Sequence, residues 1–200
     1  MCSSDLLVGD RVQEWSDKSG HEHNVSATND SARPFISNNS LNGLDSIQFA
    51  GYQWFRRSSR LGLSANPDIQ VFIVSKITGD RSSDDRLFLL GGSSMGLACA
   101  AGTDGWSWRF NGGKEIYNSV TKNVIGLQVW ERSDGDAFDA SRFYINGIEQ
   151  TRTSGSSDTS VPTSLVEHMQ VGAGTGGTQM VGFLGEVIVL ESDDQQTRGM

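Results

Sequence analysis

Short runs rich in Val, Ile and Phe alternate with clusters of Gly, Asn, Ser and Asp along nearly the whole chain. No window before residues 192–200 sustains a helical period, so the pattern predicts an almost all-β protein. Strands are expected near 11–15, 24–28, 46–49, 69–77, 86–90, 95–101, 106–110, 123–131, 142–145, 148–151, 168–172 and 180–190. Two of these runs, Ile69-Gln-Val-Phe-Ile-Val74 and Gly185-Glu-Val-Ile-Val-Leu190, are nearly continuously apolar, as in strands covered on both faces, and point to a sandwich of two packed sheets. The sharpest local signal is Phe143-Tyr-Ile-Asn-Gly-Ile148. There Asn146 and Gly147 supply the two positive-φ residues of a type I′ turn, which predicts a tight hairpin. The stretch 151–163 reads as a loop within one domain, because the β pattern resumes after it. Ser192-Asp-Asp opens like a short C-terminal helix, with Ser192 as N-cap and the two acids at the positive end of the helix dipole.

At 200 residues the chain has the length of one domain, and 36% hydrophobic with 20% charged residues places it among globular rather than disordered chains. Its 24 acidic against 16 basic side chains give a net charge of −8, which argues against nucleic acid, because phosphate binding needs clustered Lys and Arg. Neutral or weakly polar partners fit this balance better. No stretch approaches the roughly 20 apolar residues that cross a bilayer, so membrane insertion is not expected. Residues 1–6 resemble a translated sequencing adapter and read as a non-native leader. That leaves 7–200 as a single domain, expected to be a fragment of a longer chain whose other domains are among its partners. With Cys2 set aside, Cys99 stands in an alternating apolar run and reads as a small hydrophobe, so cysteine usage gives no compartment.

Several segments occur in a familiar order: Val12-Gln-Glu-Trp-Ser-Asp-Lys-Ser-Gly20, Asn24-Val-Ser-Ala-Thr28, Arg33-Pro34, and Leu41-Asn-Gly-Leu44 leading into Ile47-Gln-Phe-Ala-Gly51. Val71-Phe-Ile-Val74, Phe143-Tyr-Ile-Asn-Gly147 and Phe183-Leu-Gly-Glu-Val-Ile-Val189 continue the series. Together they resemble microbial laminin-G-like, concanavalin A-like domains over residues 8–200. The resemblance implies an antiparallel two-sheet jelly-roll sandwich with a short C-terminal helix, a fold found in lectins, glucanases, adhesins and sugar-binding appendages. Such domains usually carry one more strand at the start and a longer helix with a final strand at the end, which supports truncation at both ends.

Fold alone does not assign chemistry. Glucanases of this type carry Glu-x-Asp-x-Glu or Glu-x-Asp-x-x-Glu on a strand, and the sequence has neither. Glu186 and Glu191 are five apart, so a period of two sends them to opposite faces. No Gly-x-Ser-x-Gly, His-Glu-x-x-His, Cys-x-x-Cys or phosphate-binding loop with Lys occurs, and Gly172-Ala-Gly-Thr-Gly-Gly177 reads as a turn. No catalytic residue is predicted. His21 and His23 read as solvated loop residues, since a metal needs a third ligand and His168 is remote in sequence.

Asp134, Asp136 and Asp139 in Asp134-Gly-Asp-Ala-Phe-Asp139 are the candidate calcium ligands, because closely spaced carboxylates suit an oxygen-rich shell; a solvated loop tip is the alternative. Some laminin-G-like domains hold calcium at the sandwich rim, so the resemblance points the same way. Aromatic rings offer the other route to sugar, through stacking on pyranose C–H faces. Trp106 and Trp108 share one strand face that is either core or ligand platform. Tyr52-Gln-Trp-Phe-Arg-Arg57 reads as a loop exposing Tyr52 or Trp54. With Arg56, Arg57 and Arg60 it forms a basic spot suited to an acidic sugar or to carboxylate pairing. Trp15 and Trp130 read as core. Tyr52, Trp54, Arg56, Trp106 and Trp108 are therefore the candidate ligand-binding residues. The expected function is a non-catalytic carbohydrate-binding or adhesion module, with a glycan or polysaccharide partner, in a secreted, cell-surface or virion protein. A structural sandwich binding protein neighbours is the alternative, and a glycoside hydrolase is least favoured.

Overall fold

The computed structural model describes residues 9–58, 68–79, 85–90, 97–102, 105–110, 113–117, 121–133, 140–155, 169–172 and 180–191. In chain order the strands are β1 (Glu14–Trp15), β2 (Val25–Ser26), β3 (Phe35–Leu41), β4 (Leu44–Ala50), β5 (Phe55–Arg57) and β6 (Ile69–Ile77). They continue with β7 (Asp85–Leu90), β8 (Leu97–Gly102), β9 (Gly105–Phe110), β10 (Gly113–Ile116) and β11 (Ile125–Arg132). The last are β12 (Arg142–Ile145), β13 (Ile148–Glu149), β14 (Ser154–Gly155), β15 (Met169–Val171) and β16 (Val181–Glu191). They form two antiparallel sheets, of nine strands ordered β1-β2-β5-β15-β7-β8-β9-β10-β14 and of seven ordered β13-β12-β11-β6-β16-β4-β3. The all-β two-sheet sandwich expected from the pattern is thus the observed architecture. The expected C-terminal helix falls at 192–200, outside the described residues. No helix among the described residues is long and apolar enough to cross a membrane.

Aromatic rings from the two sheets meet in the core. Trp108 of β9 stacks on Trp130 of β11 with ring centres 5.0 Å apart and planes 19° from parallel. Phe143 of β12 lies against Trp106 and Trp108, each at 6.1 Å, and Phe49 of β4 meets Phe55 of β5 edge-on at 6.1 Å. A polar pair is buried within the seven-stranded sheet, between adjacent strands β6 and β11: the Ser75 hydroxyl donates to Gln128 Oε1 at 2.9 Å. A side chain on Gly126 would collide with the Gln128 amide, so the absence of a Cβ there makes room for the pair.

The reading of β6 and β16 as strands covered on both faces needs correction. On β6, Ile69, Val71, Ile73, Ser75 and Ile77 are buried, whereas Gln70, Phe72, Val74 and Lys76 on the outer face are only half-buried. On β16, Glu186, Ile188 and Leu190 are exposed. Hydrophobic side chains on the outward positions, not a second covering layer, produce the continuous apolar runs. The predicted hairpin is present: Asn146 and Gly147 take φ of 51° and 78° between β12 and β13. The same Asn-Gly device, with φ of 52° at Asn42 and 82° at Gly43, joins β3 to β4.

Candidate functional site

The structure divides the sequence-predicted ligand residues. Trp106 and Trp108 are 4% and 0% exposed. Their shared face points into the sandwich against Phe143 and Trp130, so the core alternative holds and the platform alternative is corrected. The segment read as a loop is loop only at its start. Phe55, Arg56 and Arg57 form β5, with Phe55 fully buried. Trp54 is half-buried against the core, its backbone N–H donating to the Ala32 carbonyl at 2.8 Å. Tyr52 stays 62% exposed, on a turn held by Gln53 Oε1, which accepts from the backbone N–H of Ala50 and Tyr52 at 2.7 and 3.3 Å. Arg56 is exposed on the outer face of the nine-stranded sheet, opposite Ser26 on one side and Gln170 on the other. Tyr52 and Arg56 therefore remain surface groups. Asp134, Asp136 and Asp139 lie outside the described residues, as do Arg60 and His168. Among the described residues no group of three or more His, Cys, Asp or Glu gathers to hold a metal ion.

Beside β5 the loop between β1 and β2 is built around Asp17. Its carboxylate accepts from the Ser19 N–H at 2.8 Å, the Ser19 hydroxyl at 2.6 Å and the His23 N–H at 2.9 Å. Burial alone would raise this carboxyl; the Ser19 and His23 donors overcome it and hold the group well below the usual carboxylate range. Arg57 Nη1 donates to the Glu22 carbonyl at 2.6 Å, which pins the loop to β5. His21 and His23 stack with ring centres 5.8 Å apart. Burial, followed by the nearby Arg57 charge, lowers the His23 pKa below its ordinary 6.5, with Asp17 opposing. These bonds give a braced polar loop.

A groove of about 470 Å³ opens at the other end of the molecule, a size typical of small-ligand sites. On one side stand Ser141 and Arg142, at the start of β12; on the other, Glu149 of β13 and the chain that follows it through Gln150 and Thr151 to Arg152. Tyr117, directly after β10, also lines it, its ring 4.9 Å from Phe143 and its N–H donating to the Trp106 carbonyl at 2.9 Å. The wall exists because the chain crosses there from one sheet to the other: β13 pairs with β12, and β14 pairs with β10.

The hairpin register sets the chemistry of this groove. Tyr144 lies directly opposite Glu149, and Arg142 opposite Glu131. Period-two alternation therefore puts Arg142, Tyr144, Glu131 and Glu149 on one face. The Tyr144 hydroxyl donates to Glu131 Oε1 at 3.0 Å. A hydrogen bond with Tyr144, reinforced by the charges of Glu149 and Glu131, keeps the exposed Arg142 firmly cationic. The Ser141 hydroxyl is buried and has no hydrogen-bond partner among the described residues. Sequence reading missed this groove. Its hairpin half was implicit in Asn146-Gly147, because a two-residue turn fixes Tyr144 against Glu149, but nothing local announces that Tyr117 lines it.

No protein-family model matches the chain, and no curated protein does. Solved structures do. Domain 4 of AbnA, a GH43 extracellular arabinanase from Geobacillus stearothermophilus, in complex with arabinotriose, is similar with a TM-score of 0.56 at 11% identity, over 93% of this chain and 94% of that one. Two structures of Trypanosoma rangeli sialidase, one with the inhibitor DANA, are similar with TM-scores of 0.57 and 0.54 at 12% and 14% identity. They cover 94% and 92% of this chain but 32% and 29% of the sialidase chains, so the chain spans about a third of their length. At these identities the likeness establishes the β-sandwich, a fold here shared with parts of carbohydrate-active proteins.

Proposed function

We propose that this chain is a non-catalytic carbohydrate-binding module of the laminin-G-like, concanavalin A-like kind, belonging to a secreted, cell-surface or virion protein. Its glycan lies in the groove between the β12–β13 hairpin and Tyr117. The supporting observation is the groove lining: guanidinium donors at Arg142 and Arg152, a carboxylate acceptor at Glu149, an amide at Gln150 and a hydroxyl at Thr151. A saccharide hydroxyl both donates and accepts, and a wall carrying both kinds of partner suits it. The full-length fold likeness to an arabinanase domain crystallised with arabinotriose is consistent with this reading.

A second reading has its own observation. On the outer face of the seven-stranded sheet, Val129 and Ile188 flank Phe72, with Leu127, Val74 and Leu190 adjoining. Such a face suits a protein neighbour. Affinity electrophoresis through gels containing arabinan, galactan, laminarin or polygalacturonate, with calcium and with chelator, separates the two. Retardation on at least one polymer is expected; a chelator effect would direct attention to Asp134, Asp136 and Asp139. Unretarded migration of the folded domain on every polymer would overturn the carbohydrate reading in favour of protein docking.

A further inference from the structure

We propose that the β12–β13 groove selects neutral saccharides and excludes acidic ones, gripping the sugar between the Arg142 guanidinium and the Glu149 carboxylate. The inference rests on the carbohydrate reading above and names the ligand class of that site. Arg142 and Arg152 alone would make the groove an anion site. The sheet register prevents that, because it places Glu131 opposite Arg142 and Glu149 opposite Tyr144, so two carboxylates share the face with the Arg142 cation. The Tyr144 hydroxyl donates to Glu131 at 3.0 Å from the face that also carries Arg142, so these charged groups stand together. A uronate or sialate carboxylate approaching Arg142 would meet Glu149 as well, and like charges at close range cancel the attraction. The net charge of −8 adds long-range repulsion of any polyanion.

A neutral sugar meets no such penalty. One hydroxyl donates to the Glu149 carboxylate and a neighbouring one accepts from the Arg142 guanidinium. Each is a charge-assisted hydrogen bond, the stronger kind, and hydroxyls are the only groups the pair needs to satisfy.

The test compares neutral polymers (linear arabinan, galactan, laminarin) with acidic ones (polygalacturonate, polysialic acid) in affinity electrophoresis, using the wild-type chain, Arg142→Ala and Glu149→Gln. Retardation is expected on a neutral polymer, changing less than about twofold between about 50 and 500 mM NaCl, where an ionic interaction would be screened. Loss of one charge-assisted bond should weaken that retardation by about 10-fold in each variant, with the melting temperature unchanged because both side chains are exposed. Retardation on either acidic polymer, or neutral binding that both variants keep in full, would overturn the inference while leaving carbohydrate binding as such standing. Absence of binding to any polymer would overturn both.

Discussion

Trp130 shows how single side chains hold the sandwich. Its indole is 1% exposed and stacked on Trp108 across the gap between the sheets. Truncation would remove the central contact and leave a large cavity, so Trp130→Ala should destabilise by about 3–5 kcal/mol. Urea denaturation measures this directly, and a variant as stable as the parent would remove Trp130 from the core. Core assignments of this kind were legible in the sequence, because a large aromatic in an alternating run is buried more often than displayed. The same rule placed Trp106 and Trp108 correctly when applied as core and wrongly when they were offered as a sugar platform. Trp54 was harder, since Gly51 and Ser58 around it carry loop chemistry while Phe55 begins a strand. Here tertiary pairing with β2 and β15 overrode local composition.

At the scale of elements, the β1–β2 loop is expected to be the acid-sensitive part of the fold. Asp17 and His23 both titrate in the folded protein below their ordinary values. The unfolded chain therefore takes up protons first as the pH falls, and acid favours unfolding. For His23 the stability is fully present above the ordinary value of 6.5 and is lost as the pH falls from there through its lowered folded pKa. For Asp17 the loss begins only below 3.8. His23→Gln should abolish the first loss and keep the second. Urea midpoints of both proteins between about pH 7.5 and 5 check this, and a stability difference that stays constant over that range would contradict it. Strands β6 and β12 were readable to the residue, β6 from its nearly continuous apolar run and β12 from the Asn146-Gly147 turn that follows it. Strands β3, β5, β10 and β14 were not, for different reasons. Phe35–Leu41 is interrupted by Ser and Asn, and the other three are short segments that exist only through pairing.

For the whole molecule, the all-β class was legible in the alternation of apolar runs with turn clusters, whereas the two-sheet reading was reached from continuous apolar runs whose outward positions are in fact half-buried or exposed. The sequence did not carry the groove, which forms where Tyr117, directly after β10, meets a hairpin of the other sheet. Nor did it show that the outer face of the seven-stranded sheet keeps Ile188 and Leu190 exposed. A glycan in the β12–β13 groove is what the proposed function turns on. The most direct measurement is a titration of the isotope-labelled chain with an oligosaccharide of the retained polymer, following backbone amide shifts. Saturable shifts are expected, concentrated at Ser141–Arg142 and Glu149–Arg152, with Tyr52 and Arg56 unmoved. Shifts confined to Tyr52, Arg56 and the β1–β2 loop, with the hairpin silent, would contradict the proposed function.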